Sequence, residues 1–219
     1  MIPIEASILS CDLTKLGEQV MAAERGGAAS LHIDIMDGIY VNNFTFGPRT
    51  VSDLKQITSI PLSVHLEVQK PELYVEMFAK ADADVFTFQL DACHNPIHLL
   101  KEIRANGMKA GLGIGPAYGV ENLKYLFPHM DSLTLMSVEP GYEKQCFESS
   151  VFEKIVQVKQ MMKECGYSIP VSIDGGVIPQ IGRKLVEMGA DSLIVGSYIF
   201  YNEDIEAAVR LMQNCDKAG

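Results

Sequence analysis

The chain has 219 residues, of which 47% are hydrophobic, so it is long enough and apolar enough to bury the core of an α/β domain. Its 28 acidic and 18 basic residues give a formal net charge of −10, which argues against nucleic acid and anionic membrane surfaces as partners. The five cysteines show no C-x-x-C spacing, and no run resembles a signal peptide or a membrane span, so we expect a reduced, cytoplasmic protein.

Short β-branched apolar runs alternate with longer amphipathic runs, a pattern typical of parallel strands joined by crossover helices. The predicted strands are residues 4–9, 30–36, 62–68, 85–90, 109–114, 132–137, 170–173 and 192–195. The predicted helices lie near residues 13–25, 49–56, 71–80, 96–106, 120–127, 149–165, 179–188 and 202–212.

Eight such units without a linker predict an α/β fold, a closed (β/α)8 TIM barrel that forms a single domain over residues 1–219. An open doubly wound sheet is the alternative. A G-x-G-x-x-G turn after the first strand would favour that sheet, but residues 7–12 contain no glycine.

The second predicted strand carries polar side chains at alternate positions. Because successive side chains of a strand point to opposite faces, His32, Asp34 and Met36 share one face. A buried charge is costly unless it is paired or bound to a metal, and imidazole beside carboxylate suits a divalent transition ion. His32 and Asp34 therefore indicate the beginning of a metal site.

Two further strands end in residues of the same kind. The third strand places His65 and Glu67 on one face near its end, and the seventh strand ends at Asp174. A single histidine or aspartate in such a place is usually a structural residue. Because the strand ends of a barrel meet at one mouth, these residues together with His32 and Asp34 form a ligand set suited to Zn²⁺, Fe²⁺, Mn²⁺ or Co²⁺.

Glycines follow the last two predicted strands. In many barrels these loops present backbone N–H groups to a phosphate, and glycine allows an anion to approach the backbone closely. Gly175, Gly176, Gly196 and Ser197 occupy these loops, although a glycine can also serve a tight turn alone.

Several of these motifs occur together in one known family. The chain resembles the ribulose-phosphate 3-epimerases over nearly its whole length, most specifically through H-x-D-x-M-D-G at residues 32–38 and D-G-G-V at residues 174–177 in this order. Further matches are S-I-L-S at 7–10, N-F-T-F-G-P at 43–48, V-H-L at 64–66, M-S-V-E-P-G at 136–141 and G-S at 196–197. Relatives such as the allulose-6-phosphate 3-epimerases share this pattern, so the resemblance indicates the reaction better than the substrate.

The resemblance implies one divalent metal ion held by His32, Asp34, His65 and Asp174. It also implies that Asp34 and Asp174 are the proton-transfer pair, since inverting a carbon beside a ketone requires an acid/base group on each face. A sugar phosphate would be the substrate, and we expect a homo-oligomer. The residues expected to contact the substrate are Ser7, His65, Gly141, Lys144, Asp174, Gly175, Gly176, Gly196 and Ser197.

Four departures from the family pattern bear on specificity. Glu67 stands where the family usually has methionine, Gln89 where histidine is frequent, and Gly115 where asparagine or lysine precedes a proline. The usual P-G-F-G-G-Q loop is P-G-Y-E-K-Q at residues 140–145, which adds Glu143 and Lys144. These changes suggest a substrate other than ribulose 5-phosphate, or a tail group that is not a phosphate.

Glu67 has two interpretations. It could stand near the metal as an extra ligand or as an acceptor for a substrate hydroxyl, or it could tilt outward into solvent at the strand end. The sequence alone leaves both open.

We therefore predict a metal-dependent ketose-phosphate 3-epimerase of the type that converts D-ribulose 5-phosphate to D-xylulose 5-phosphate. Its two-base proton transfer would pass through an enediolate stabilised by the metal. The alternatives are an epimerase of another sugar phosphate, such as allulose 6-phosphate, and a barrel that binds a phosphorylated metabolite without turnover.

Overall fold

A computed structural model describes residues 1–142 and 145–216. Its eight parallel strands close into one barrel in sequence order, which confirms the predicted (β/α)8 fold. The strands are β1 Ile4–Ser7, β2 Ser30–Met36, β3 Leu62–Glu67, β4 Val85–Gln89, β5 Lys109–Ile114, β6 Ser132–Met136, β7 Val171–Asp174 and β8 Ser192–Val195.

Helices cover the outside of the barrel. They are α1 Leu16–Gly26, α2 Pro48–Leu54, α3 Val75–Lys80, α4 Pro96–Ala105, α5 Ser150–Cys165, α6 Pro179–Glu187, α7 Ser197–Phe200 and α8 Ile205–Gln213. The short helix α7, directly after β8, is an element that the sequence analysis did not predict. None of the helices in the described parts of the chain has the length and apolarity that a membrane crossing demands.

The helix predicted near residues 120–127 is wrong. Between β5 and β6 the structure has only one 3-10 turn, Leu123–Tyr125. Pro128 disfavours helical backbone at the residue before it, and Gly119 weakens a helix at the other end, so the segment is too short to form one. The apolar spacing that suggested a helix still serves packing, because Val120, Leu123 and Phe127 are buried.

The strand register determines which side chains meet inside the barrel. On β2 and β3, Asp34 pairs with His65 and Met36 pairs with Glu67. The alternate residues point outward, and Ile33 is buried there under the helices. Both faces of each strand are therefore buried, and the C-terminal strand ends bring their inward polar residues to one mouth.

Candidate active site

Four side chains from β2, β3 and β7 converge at the C-terminal end of the barrel. Nε2 of His32 lies 3.0 Å from Oδ1 of Asp34, 3.3 Å from Nδ1 of His65 and 3.5 Å from Oδ2 of Asp174. Nδ1 of His65 lies 3.4 Å from Oδ1 of Asp34 and 3.6 Å from Oδ2 of Asp174. The residues predicted as metal ligands thus form one cluster instead of lying apart in the barrel.

These distances fit the donors of one metal ion. Ligands about 2.1 Å from an ion lie about 3.0 Å apart when they are neighbours in an octahedron and about 3.4 Å apart in a tetrahedron. The five measured separations span 3.0 to 3.6 Å, and one donor atom from each residue lies within 4.8 Å of the other three. Two imidazoles and two carboxylates also have the chemistry that Zn²⁺, Mn²⁺ or Fe²⁺ accepts. The residues fit such an ion on both grounds.

Neighbouring groups hold these ligands in place. The Ser7 hydroxyl donates to Oδ2 of Asp34 over 2.9 Å, and the Thr45 hydroxyl donates to the Asp34 carbonyl. On the other side of the cluster, the Gln89 amide lies 2.9 Å from Nε2 of His65. A ligand whose remaining atoms are hydrogen-bonded keeps its orientation, so the cluster is prepared before anything binds.

The cluster and the nearby Glu67 together hold three carboxyl groups but only two imidazoles. Burial by itself would lower the pKa of His65, yet its contacts with Asp174 and Asp34 and the charge of Glu67 raise that pKa to about 10. Burial opposes ionisation of Asp34, but the charge and hydrogen bond of His32 hold the pKa of that carboxyl well below its usual range. In the metal-free protein the imidazoles therefore keep protons that balance the carboxylates.

A cavity opens above the cluster and collects most of the predicted site residues. Those lining it are Ser7, Asp34, Glu67, Gly141, Asp174, Gly175, Gly176, Gly196 and Ser197. His32 and His65 are buried and contact Asp34 and Asp174, which line the cavity. The sequence prediction and the cavity therefore mark the same end of the barrel.

Two glycines at the mouth lie so close to neighbouring atoms that a side chain in their place would clash. Gly175 has φ +111°, and a Cβ there would lie 2.5 Å from Cγ2 of Val138. A Cβ on Gly196 would lie 2.9 Å from Oγ of Ser10 and 3.2 Å from the carbonyl oxygen of Ser7. Side chains at these positions would displace the first and sixth βα loops, so the turn interpretation of these glycines applies at least in part.

The residues predicted to control specificity differ in position. Glu67 is only 2% exposed and lines the cavity, which excludes the outward tilt into solvent. Of the other two, Gln89 is buried behind His65, and Gly115 lies next to the ring of Tyr118; neither lines this cavity. Lys144, with Glu143, lies outside the described residues.

Sequence reasoning missed several supporting residues. The buried Ser137 hydroxyl donates to the carbonyls of Asp174 and Gly175, over 2.9 and 2.6 Å, and so fixes the end of β7. Thr45, whose hydroxyl donates to the Asp34 carbonyl, was missed as well. Small polar residues near a strand end look alike in sequence whether or not they hold a ligand in place.

Comparison with known proteins gives results consistent with this geometry. The model of the family described as ribulose-phosphate 3 epimerase matches residues 3–200. The ribulose-phosphate 3-epimerase of Bacillus subtilis is 38% identical over 213 residues, which cover 95% of this chain and 97% of that protein. That of Synechocystis is 37% identical, covering 97% of this chain and 94% of that protein.

Among solved structures, the thiamine phosphate pyrophosphorylase of Pyrococcus furiosus superposes with a TM-score of 0.65 at 20% identity. The match covers 98% of this chain and 95% of that one. At this identity the likeness describes the barrel fold alone.

Proposed function

Because this chain belongs to the ribulose-phosphate 3 epimerase family, whose members are isomerases acting on carbohydrates, we propose that it interconverts D-ribulose 5-phosphate and D-xylulose 5-phosphate. The observation that carries the proposal is the convergence of His32, Asp34, His65 and Asp174 below an open cavity. A protein that only binds a phosphorylated metabolite has no need for two carboxylates from different strands at the centre of its site.

A divalent ion is the proposed cofactor, with His32, Asp34, His65 and Asp174 as its ligands. Such an ion would stabilise the negative charge that develops on the adjacent oxygens of the substrate, by several kcal/mol. The protein supplies a preorganised cradle for it, because Ser7 and Gln89 orient two of the ligands.

The tautomer of His65 bears on this assignment. An imidazole that binds a metal through Nδ1 carries its proton on Nε2, and this proton needs an acceptor. The Gln89 amide stands 2.9 Å from Nε2, and its rotation by 180° presents Oε1 to the proton. Gln89 is therefore suited to hold His65 in the metal-binding tautomer.

Proton transfer is assigned to the two aspartates. Epimerisation at C3 removes a hydrogen from one face of the carbon and returns a proton to the other face. Asp34 on β2 and Asp174 on β7 approach the cavity from different sides of the barrel, and both line it. One carboxylate takes the hydrogen and the other, protonated, returns one, and their roles exchange with the direction of reaction.

The phosphate is assigned to the loops after β7 and β8. Gly175, Gly176, Gly196 and Ser197 line the cavity there, and their backbone can approach an anion closely. A chain with net charge −10 needs such local donors to bind a dianionic substrate.

Exchange of the C3 hydrogen with solvent deuterium tests the proposed function. The protein loaded with Mn²⁺ or Zn²⁺ is expected to exchange and invert C3 of D-ribulose 5-phosphate, and a chelator is expected to abolish both. A panel that includes allulose 6-phosphate then ranks the ketose phosphates by kcat/KM. Binding of ketose phosphates without exchange would show a barrel that binds a metabolite without turnover. A preference for allulose 6-phosphate would show that this sugar phosphate, and not D-ribulose 5-phosphate, is the substrate.

A further inference from the structure

Glu67 is a buried carboxylate, one oxygen of which has no hydrogen-bond partner within the described protein. Its side chain is at the mouth of the barrel, 2% exposed, and it lines the same cavity as Asp34 and Asp174. Oε2 is fully buried and has no hydrogen-bond partner among the described residues. Because an unsatisfied buried acceptor is costly, a donor on an occupant of the cavity would stabilise this carboxylate.

Three neighbours of Glu67 do not act as that donor. Met36 lies opposite Glu67 in the strand pairing, Met136 lines the same cavity, and neither carries a polar hydrogen. The hydroxyl of Tyr40 already donates to Asp91, with both oxygens at 3.1 Å. None of the three donates to Glu67, and Glu67 lines the cavity in which a ligand would bind.

The position of Glu67 indicates which part of the ligand it meets. Glu67 lies two residues beyond His65 on β3, so it points into the barrel one layer nearer the mouth. In a closed barrel of eight strands β3 is opposite β7, which ends beside Gly175 and Gly176. A ketose phosphate with its phosphate at those glycines and its ketone above His65 directs C1 towards β3.

We propose that Glu67 accepts a hydrogen bond from the C1 hydroxyl of a 2-ketose phosphate and thereby selects substrates that carry this hydroxyl. The proposal rests on the proposed function and adds a specificity residue to it. A hydrogen bond to a buried carboxylate is stronger than one between neutral groups. A site built around such a bond rejects an analogue that lacks the hydroxyl, because the carboxylate is then left unpaired.

D-xylulose 5-phosphate and 1-deoxy-D-xylulose 5-phosphate test this proposal, since they differ only in the C1 hydroxyl. The measurement is kcat/KM for C3 hydrogen exchange in deuterium oxide, followed by NMR, with the metal-loaded protein. The wild type is expected to prefer the hydroxylated ketose by roughly 100-fold, since one buried acceptor left unsatisfied costs about that much. Glu67→Met is expected to reduce that preference to less than about 5-fold, mainly through slower reaction of the hydroxylated ketose.

Glu67→Gln keeps the size of the side chain and one acceptor oxygen, so it is expected to retain an intermediate preference and keeps the test valid if Glu67→Met fails to fold. The matched control is Glu139→Gln, which alters an exposed carboxylate of the same cavity and is expected to leave the preference unchanged. Metal content, measured by elemental analysis, is expected to be the same in the wild type and the Glu67 variants.

Four results would overturn the proposal. A wild type without preference would show that the C1 hydroxyl does not satisfy the carboxylate. A preference that survives in Glu67→Met would show that another group recognises this hydroxyl. Loss of the metal from Glu67→Gln would make Glu67 a ligand instead. Exchange with neither ketose in the loaded wild type would refute the proposed function as well, whereas turnover without a C1 preference would refute this inference alone.

Discussion

Replacement of Asp174 by asparagine separates the two proton transfers that inversion requires. The amide keeps the size of the carboxylate but cannot act as a base. In Asp174→Asn only Asp34 can take a hydrogen, and it reaches only the epimer whose C3 hydrogen faces it. This variant is therefore expected to exchange the C3 hydrogen of one epimer with solvent without inverting it. Asp34→Asn is expected to do the same with the opposite epimer.

The size of the effect follows from the role and the contacts of each residue. Loss of one acid/base group slows epimerisation by about 10² to 10⁴, which corresponds to about 2.7 to 5.4 kcal/mol of barrier. Oδ2 of Asp174 lies 3.5 and 3.6 Å from the two imidazole nitrogens, whereas Asp34 lies 3.0 Å from Nε2 of His32 and also accepts from Ser7 over 2.9 Å. Asp34→Asn is therefore expected to lose more metal affinity than Asp174→Asn.

The assay follows deuterium at C3 and the configuration of C3 together, by NMR, starting from each pure epimer. Metal content is measured in the same samples, so that loss of the ion is distinguished from loss of a base. Asp53→Asn is the control, because Asp53 is exposed on α2 and pairs with Arg49 at 2.8 Å. Inversion at a near-normal rate in either active-site variant would refute the two-base assignment. The two-base assignment would also be refuted if neither metal-loaded variant exchanged the C3 hydrogen of the same epimer.

Three further predictions concern the metal-free cluster and the glycine turns. Because the pKa of His65 is raised to about 10, Zn²⁺ must displace a proton at pH 7, and the apparent affinity for Zn²⁺ should rise with pH. Calorimetry in buffers of different ionisation enthalpy should show about one or more protons released per ion. Equal heats in all buffers would contradict this. In the presence of a chelator, the free energy of unfolding in urea should fall as pH rises, since raised pKa values stabilise the fold below the unfolded value and this contribution is lost towards the folded value. This loss of stability is expected between pH 6.5 and about 10 for His65 and between pH 4.5 and about 8 for Glu67. Each retained proton contributes a slope of at most about 1.4 kcal/mol per pH unit. A free energy of unfolding that does not change with pH would refute the predicted direction. Gly175→Ala should lower the melting temperature more than Gly166→Ala and also raise KM, because both glycines have positive φ but only a Cβ at 175 meets Val138 at 2.5 Å. The positive φ costs both alanine variants about 1–2 kcal/mol. Equal decreases of the melting temperature in the two variants would show that the contact with Val138 has no effect on stability.

The fold was predictable because its signal is local and repeated. Alternation of short β-branched runs with amphipathic runs occurs in every unit of a (β/α)8 barrel, so one weak unit does not change the result. The failed helix near residues 120–127 illustrates this, since only the 3-10 turn Leu123–Tyr125 forms there and the barrel still closes. Buried Val120, Leu123 and Phe127 cover the strands without a helix.

The metal-ligand candidates were also predictable from period two, which places His32 and Asp34 on one strand face. That they contact the substrate or a metal stays a prediction, as does the substrate-binding role of Ser7, Gly141 and Ser197. Lys144 lies outside the described residues, so nothing in the structure bears on it.

The sequence by itself determined where the strands lie along the chain and which side chains of one strand share a face, because both follow from local periodicity. Only the tertiary structure decided that Glu67 turns inward and stays unpaired, and that Gln89 stands behind His65. These outcomes depend on barrel closure and on the register between strands far apart in the chain. That register sets the distances between side chains on different strands, and the period of a single strand does not encode it.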